Sequence, residues 1–173
     1  MKLLIVVDMQ NDFVTGSLGT KEAVAIVPNV KKKIEKYLNN GDEVCFTKDI
    51  HFKDYLDTQE GKKLPVEHCI IGTNGWEIVD ELKKYEQNVF EKYTFASRNL
   101  VESVFYGNSH FSSIEIVGLC TDICVVSNAL LIKAFLPELV IIVDASCCAG
   151  VTPEKHKAAL ETMKSCQIEV IGE

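Results

Sequence analysis

Cys124 carries a thiol at a point where chemistry can be built around it. The run Ser113 to Val117 is short, apolar and β-branched, as a buried strand is, and from Thr121 the pattern Val125, Ala129, Ile132, Phe135 has helical spacing. A sharp turn at Gly118-Leu119-Cys120 must join them. Thr121 is a good N-cap, which places Cys124 in the first helical turn, near free backbone N–H groups and the positive end of the helix dipole. Both favour thiolate over thiol, so Cys124 is the candidate nucleophile. Equally, a free cysteine is often only a small buried apolar residue, and the other chemistry-bearing residues must decide.

Those residues sit at the ends of other apolar runs. Leu3 to Val7 is uninterrupted and strand-length, and Asp8 follows it. Glu43 to Thr47 leads to Asp49 and His51, and Asn88 to Phe90 runs into Glu91-Lys92. Leu139 to Val143 is a fifth strand, ending at Asp144, and Ile168 to Ile171 a sixth. Between them lie helices at Val24 to Leu38, Trp76 to Tyr85, Arg98 to Tyr106, and from the Thr152-Pro153-Glu154 cap to Lys164. Lys48 to Trp76 has little periodicity, and an irregular stretch of that length is usually functional.

Strict β-α alternation implies an α/β fold: a three-layer, doubly wound, Rossmann-like sheet of six mostly parallel strands with helices on both faces. Ligands bind at the carboxyl ends of such strands. Four strands therefore deliver Asp8, Asp49 with His51, Lys92, and Cys120 to Cys124 to one edge. A thiol attacking a carbonyl needs a base, and Asp8 in a closed pocket has its proton affinity raised by desolvation, restrained by a cation such as Lys92. The backbone N–H groups of Cys120 and Cys124 can hold the oxyanion. Taken singly, Asp8 could be a loop cap and Lys92 a surface charge.

At 173 residues, 47% hydrophobic and 25% charged, the chain suits one domain over 1–173 with a sizeable core. The net charge of -7 argues against nucleic acid and anionic membrane as partners. Lys31-Lys32-Lys33 reads as a solvated helix face. Asp8 interrupts the only apolar run near the start, so neither an export signal nor a membrane span is expected, and a cytoplasmic setting follows. Seven cysteines, an odd number without an export signal, are expected to be reduced.

Asp8-Met9-Gln10-Asn11-Asp12-Phe13, Asp49-Ile50-His51, His68-Cys69 with Gly72-Thr73, Glu91-Lys92, and Gly118 to Val125 together resemble the isochorismatase-like cysteine hydrolases, and among them the nicotinamidases. The resemblance implies a catalytic triad of Asp8, Lys92 and Cys124, and a cis peptide between Leu119 and Cys120 that turns the Cys120 N–H into the oxyanion hole. It implies a divalent metal on Asp49, His51 and His68, zinc first and iron or manganese as alternatives, with Glu60 as a further ligand and Asp57 or Glu67 as substitutes for it. Phe13 matches the aromatic residue that packs on the substrate ring. The implied activity is hydrolysis of a small carboxamide, nicotinamide to nicotinate and ammonia, in NAD salvage, by a homo-oligomer. Some nicotinamidases carry a tryptophan three residues before the second metal histidine, where this chain has Pro65, so other aromatic or aliphatic amides stay open. An isochorismatase-type reaction and a non-catalytic ligand-binding protein are the competing readings.

Overall fold

The computed structural model describes residues 1–106 and 111–173. Six strands, β1 (Lys2–Val7), β2 (Glu43–Asp49), β3 (Val89–Lys92), β4 (Ser113–Leu119), β5 (Val140–Ala149) and β6 (Glu169–Ile171), form one sheet in the order β3-β2-β1-β4-β5-β6. Every pairing is parallel. This is the doubly wound order, and its reversal point lies between β1 and β4.

The helices are α1 (Asn11–Val14), α2 (Lys21–Asn39), α3 (Gln59–Lys63), α4 (Asp80–Lys83), α5 (Arg98–Tyr106), α6 (Val126–Phe135) and α7 (Pro153–Ser165). Alternation along β1 divides the core in two. Leu4 and Val6 pack with Ile26, Val30 and Ile34 of α2. Leu3, Ile5 and Val7 pack on the other face with Leu100 of α5, Ala129 and Ile132 of α6, and Leu160 of α7. β1 is buried on both faces, which is why it reads as a continuous apolar run. Thr20 and Thr152 cap α2 and α7, accepting bonds from the N–H groups of Ala23 and Lys155.

Three expectations are corrected. The region 76–85 is not one helix: a 3₁₀ turn at Asn74–Trp76 and α4 flank an extended piece whose backbone is used elsewhere. Asn11 N donates to Glu77 O and Val79 N to Met9 O, so helical bonds are not available there. β5 does not end at Asp144. After a register shift between Ile116 and Gly118, it pairs again through Gly118 with Cys148 and Leu119 with Ala149.

Nor is Lys33 solvated. Its Nζ lies 2.5 Å from Glu115 Oε1 on β4 and 2.7 Å from Asp144 Oδ2 on β5. Tyr37 donates to the other Glu115 oxygen over 2.6 Å. These polar groups meet between α2 and the sheet, where one ammonium and a phenol face two carboxylates.

One contact fixes how closely the central strands approach. Gly118, at φ 115°, lies opposite Val7, and a Cβ there would stand 2.1 Å from Val7 O. Only glycine fits.

Candidate active site

Asp8 follows β1, Asp49 and Lys92 end β2 and β3, and Cys120 to Cys124 follow β4, so the strand order brings all four to the sheet's carboxyl edge. Asp8 adopts φ 47°, uncommon for a residue other than glycine. Its N–H donates to Thr47 O over 3.2 Å.

The expected Asp, Lys and Cys come together. Lys92 Nζ lies 2.6 Å from Asp8 Oδ2, 3.2 Å from Asp49 Oδ1 and 3.5 Å from Cys124 Sγ. Asp8 is fully buried and Lys92 and Cys124 nearly so. Thr47 Oγ1 donates to Asp8 Oδ1 over 2.6 Å.

Burial pushes the Asp8 carboxyl up, against the pull of the Lys92 ammonium. Lys92 is itself held well above its usual value: burial disfavours its charge, but Asp8, Cys124 and Asp49 outweigh that. Burial also pushes the Cys124 thiol well up, opposed by Lys92 and reinforced by Asp8 and Asp49. Burial and two carboxylates thus oppose the thiolate that a helix start favours, so the attack calls for a base.

The turn carrying Cys124 also differs from a capped α-helix. Leu119–Cys120 is a cis peptide, as the resemblance implies. Thr121–Val125 is a single π-helical turn preceded by Cys120, which makes no side-chain cap. Thr121 is not the N-cap; its hydroxyl shares a 2.8 Å hydrogen bond with His156 Nδ1 of α7. Asn128, fully buried, holds the turn from behind. Its Nδ2 donates to Cys124 O over 2.7 Å and to Phe95 O over 3.1 Å, and its Oδ1 accepts from Ser97 N.

Beside Lys92, ligand atoms of Asp49, His51 and His68 all lie within 4.8 Å of one another, and all three residues are buried. Asp49 Oδ2 is 3.0 Å from His51 Nε2 and 3.6 Å from His68 Nε2. Glu60 Oε1 stands 3.8 Å from both imidazoles, at the rim of the cluster. Among the described residues neither Asp57 nor Glu67 joins it.

The donor set suits a divalent metal. His68 Nδ1 faces Val66 O at 2.8 Å, and since a carbonyl only accepts, Nδ1 carries the hydrogen. The Nε2 lone pair then points at the cluster, the orientation that metal-binding histidines need. Burial would raise the Asp49 carboxyl, but the His51 and His68 rings beside it and the Lys92 charge hold it well below its usual value. Gln10 braces its backbone: Oε1 accepts from Asp49 N over 2.8 Å, and Nε2 donates to Asp49 O and Trp76 O.

Cys124, Asp49, His68 and Glu60 open into a chamber of about 260 Å³. Phe13, Phe95, Leu18, Thr20, Val151 and Lys155 also line it. Phe13 is 5.5 Å from the His68 ring, centroid to centroid. Cys147 and Cys148 do not line it. They point into the two cores on opposite faces of β5. A groove of about 640 Å³ adjoins the chamber and shares Glu60, Leu64, Phe95 and Ile123 with it.

The residue reading missed Thr47, Gln10 and Asn128. For Thr47 a signal existed: Thr47, Asp49 and His51 alternate along an extended segment and project the same way. Gln10 acts on backbone groups distant in sequence, and Asn128 ties Cys124, one turn before it, to the distant Phe95 and Ser97, so no local pattern marks either.

A doubly wound sheet brings a buried thiol, carboxylate and ammonium to its reversal point, where such sheets bind ligands. A model of the isochorismatase domain matches residues 2–173, and the chain belongs to that family. It is 27% identical to a nicotinamidase of Schizosaccharomyces pombe, over 98% of this chain and 92% of that protein. It is 30% identical to a probable inactive nicotinamidase of Arabidopsis thaliana, over 94% of this chain and 87% of that one. A crystal structure of the pyrazinamidase of Pyrococcus horikoshii in complex with zinc is similar with a TM-score of 0.85 and 28% identity, covering 99% of each chain.

Proposed function

We propose that this protein hydrolyses a small carboxamide through a thioester on Cys124, with nicotinamide, giving nicotinate and ammonia, as the first substrate to test. The amide-hydrolysing class rests on the family match and on the nicotinamidase and pyrazinamidase relatives. The observation that carries the mechanism is the contact of one buried ammonium with both base and thiol: Lys92 Nζ is 2.6 Å from Asp8 and 3.5 Å from Cys124.

Asp8 takes the Cys124 proton as the sulfur attacks the carbonyl carbon, and Lys92 offsets the negative charge throughout. The backbone N–H groups of Cys120 and Cys124 hold the oxyanion. Protonated Asp8 passes its proton to the nitrogen, ammonia leaves and the thioester remains. Asp8 then deprotonates a water that attacks the thioester, and the sulfur departs with the proton Asp8 returns. Phe13 and Phe95 hold an aromatic ring between them, so the carboxamide meets Cys124 in one orientation. Asp49, His51 and His68, with Glu60 beside them, are the residues that would hold a divalent metal, zinc first, which when bound supplies a Lewis-acidic anchor for a ring nitrogen. A vinyl ether hydrolysis of the isochorismatase type uses no thiol, so the Lys92–Cys124 contact favours the amide reading. A homo-oligomer in the cytoplasm, acting in NAD salvage, belongs to the same reading and rests on the resemblance.

The test is ammonia release from nicotinamide and a panel of small amides by wild type, Cys124→Ala and chelator-treated protein. Release from nicotinamide that disappears in Cys124→Ala and falls with chelator supports the assignment. Turnover of another amide alone keeps the mechanism and moves the substrate. No turnover by the metal-loaded protein sinks it.

A further inference from the structure

We propose that Thr47 is a positioning residue for this reaction, holding the Asp8 carboxylate so that Oδ2 stays turned to Lys92 and Cys124. The inference rests on the reading of Asp8 as the base. Thr47 and Asp8 are both completely buried, and Thr47 Oγ1 donates to Asp8 Oδ1 over 2.6 Å while Lys92 occupies Oδ2 at 2.6 Å. Each carboxylate oxygen thus has one partner, and the two partners lie on different strands, β2 and β3. Rotating the carboxylate would break both contacts where no water can replace them.

Thr47 holds the same residue through the main chain, since its carbonyl accepts the Asp8 N–H. Asp8 sits in the left-handed region just past the end of β1, where Thr47 holds both its main chain and its side chain. The charged and titratable groups facing Asp8 are Lys92 from β3, Asp49 from β2, Cys124 from the π-helical turn, Cys120 just past the end of β4 and Cys69 after His68. Of these only Lys92 favours the anion, and the Thr47 hydroxyl is the second donor that does so. Without it, an already basic Asp8 binds a proton more readily at rest, and a protonated Asp8 cannot accept the thiol's.

Thr47→Val keeps the shape and removes the hydroxyl, whereas Thr47→Ser keeps the hydroxyl and removes the methyl. With nicotinamide or whichever panel amide is turned over, Thr47→Val is expected to lower kcat about 10- to 100-fold, with KM changed less than about twofold. The acid limb of its kcat/KM profile should move to higher pH, and Thr47→Ser should recover most of the loss. If Thr47→Val does not fold, Thr47→Ala against Thr47→Ser isolates the same hydroxyl. A Thr47→Val protein with unchanged kcat and pH profile overturns the inference, as does Thr47→Ser losing as much as Thr47→Val. Alkylation of Cys124 by iodoacetamide, followed by peptide mass against pH, needs no substrate. Its midpoint should rise in Thr47→Val alone. Should wild type cleave no amide, the hydrolase reading falls, and an unchanged alkylation midpoint then overturns the Thr47 assignment separately.

Discussion

Asp49 and Lys92 join two clusters through one carboxylate: Oδ1 accepts from Lys92 Nζ over 3.2 Å, while Oδ2 faces His51 and His68 at 3.0 and 3.6 Å. The ammonium that serves Asp8 and Cys124 is therefore also the counter-charge of the carboxylate in the imidazole cluster. Replacing Lys92 by Met leaves Asp8 and Asp49 buried without their cation. We expect a loss of stability of about 3 kcal/mol and ammonia release below about one-thousandth of wild type. Urea unfolding and a steady-state assay read the two effects. A Lys92→Met protein as stable as wild type would show that the pair's burial is matched by something other than this ion pair.

A second ionic cluster, remote from the chamber, sets an acid limit on stability. Burial disfavours the Asp144 charge, but Lys33 and Ser146 outweigh this and leave its carboxyl below the ordinary range. A depressed folded value contributes stability above the unfolded value, near pH 4, that is lost as pH falls through the folded one. Lys33 is shifted the opposite way, upward, by Asp144 and Glu115 against burial, so its contribution persists through neutral pH and is lost only in strong alkali. Lys33→Met should therefore cost about 3 kcal/mol at pH 7, and less as pH falls through the depressed Asp144 value. Urea midpoints at pH 7, 5 and 3 test this, and a cost independent of pH would refute it.

The strand-end rule explains how much of the site was legible. Asp8, Lys92 and Cys124 each interrupt or follow an apolar run, and a parallel sheet converts those positions into one edge. Lys33 was misread because a lysine triplet on an amphipathic helix looks solvated. The contrary signal was Glu115, an acid inside the apolar run of β4 that needed a cation from a neighbouring element. Asp144 looked like a strand end because polarity ordinarily marks one, yet Lys33 neutralises it and β5 continues. Thr121 looked like a cap because the reading assumed an α-helical turn. The π-helical turn gives that hydroxyl to His156 instead. The burial of Cys124, which opposes its thiolate, is likewise a property of the assembled edge and not of the helix start.

Gln10 makes a separate prediction about the metal cluster. Its amide satisfies both backbone groups of Asp49 and also bonds Trp76 O. Gln10→Ala leaves those buried groups unpaired and frees the end of β2 from the chain that follows β1. Zinc affinity, measured by competition with a chromophoric chelator, should fall about 10- to 100-fold, in the manner of other groups that orient metal ligands. The far-ultraviolet spectrum should be unchanged. Undiminished affinity would mean that Asp49 is held by its strand pairing alone.

Gly118 tests whether the approach of β4 to β1 is as tight as the geometry requires. Gly118 and Gly41 both have positive φ, 115° and 74°, but a Cβ at Gly118 would meet Val7 O at 2.1 Å, whereas one at Gly41 meets nothing within 4 Å. Gly41→Ala therefore isolates conformational strain, about 1 kcal/mol. Gly118→Ala adds a backbone clash between the strands that lead to Asp8 and Cys124, and should cost about 3 kcal/mol or more. Thermal unfolding of the two variants side by side separates these contributions. Equal destabilisation would mean that β1 and β4 can part by the width of a methyl group, and the close approach that places Asp8 against Cys124 would then not depend on glycine.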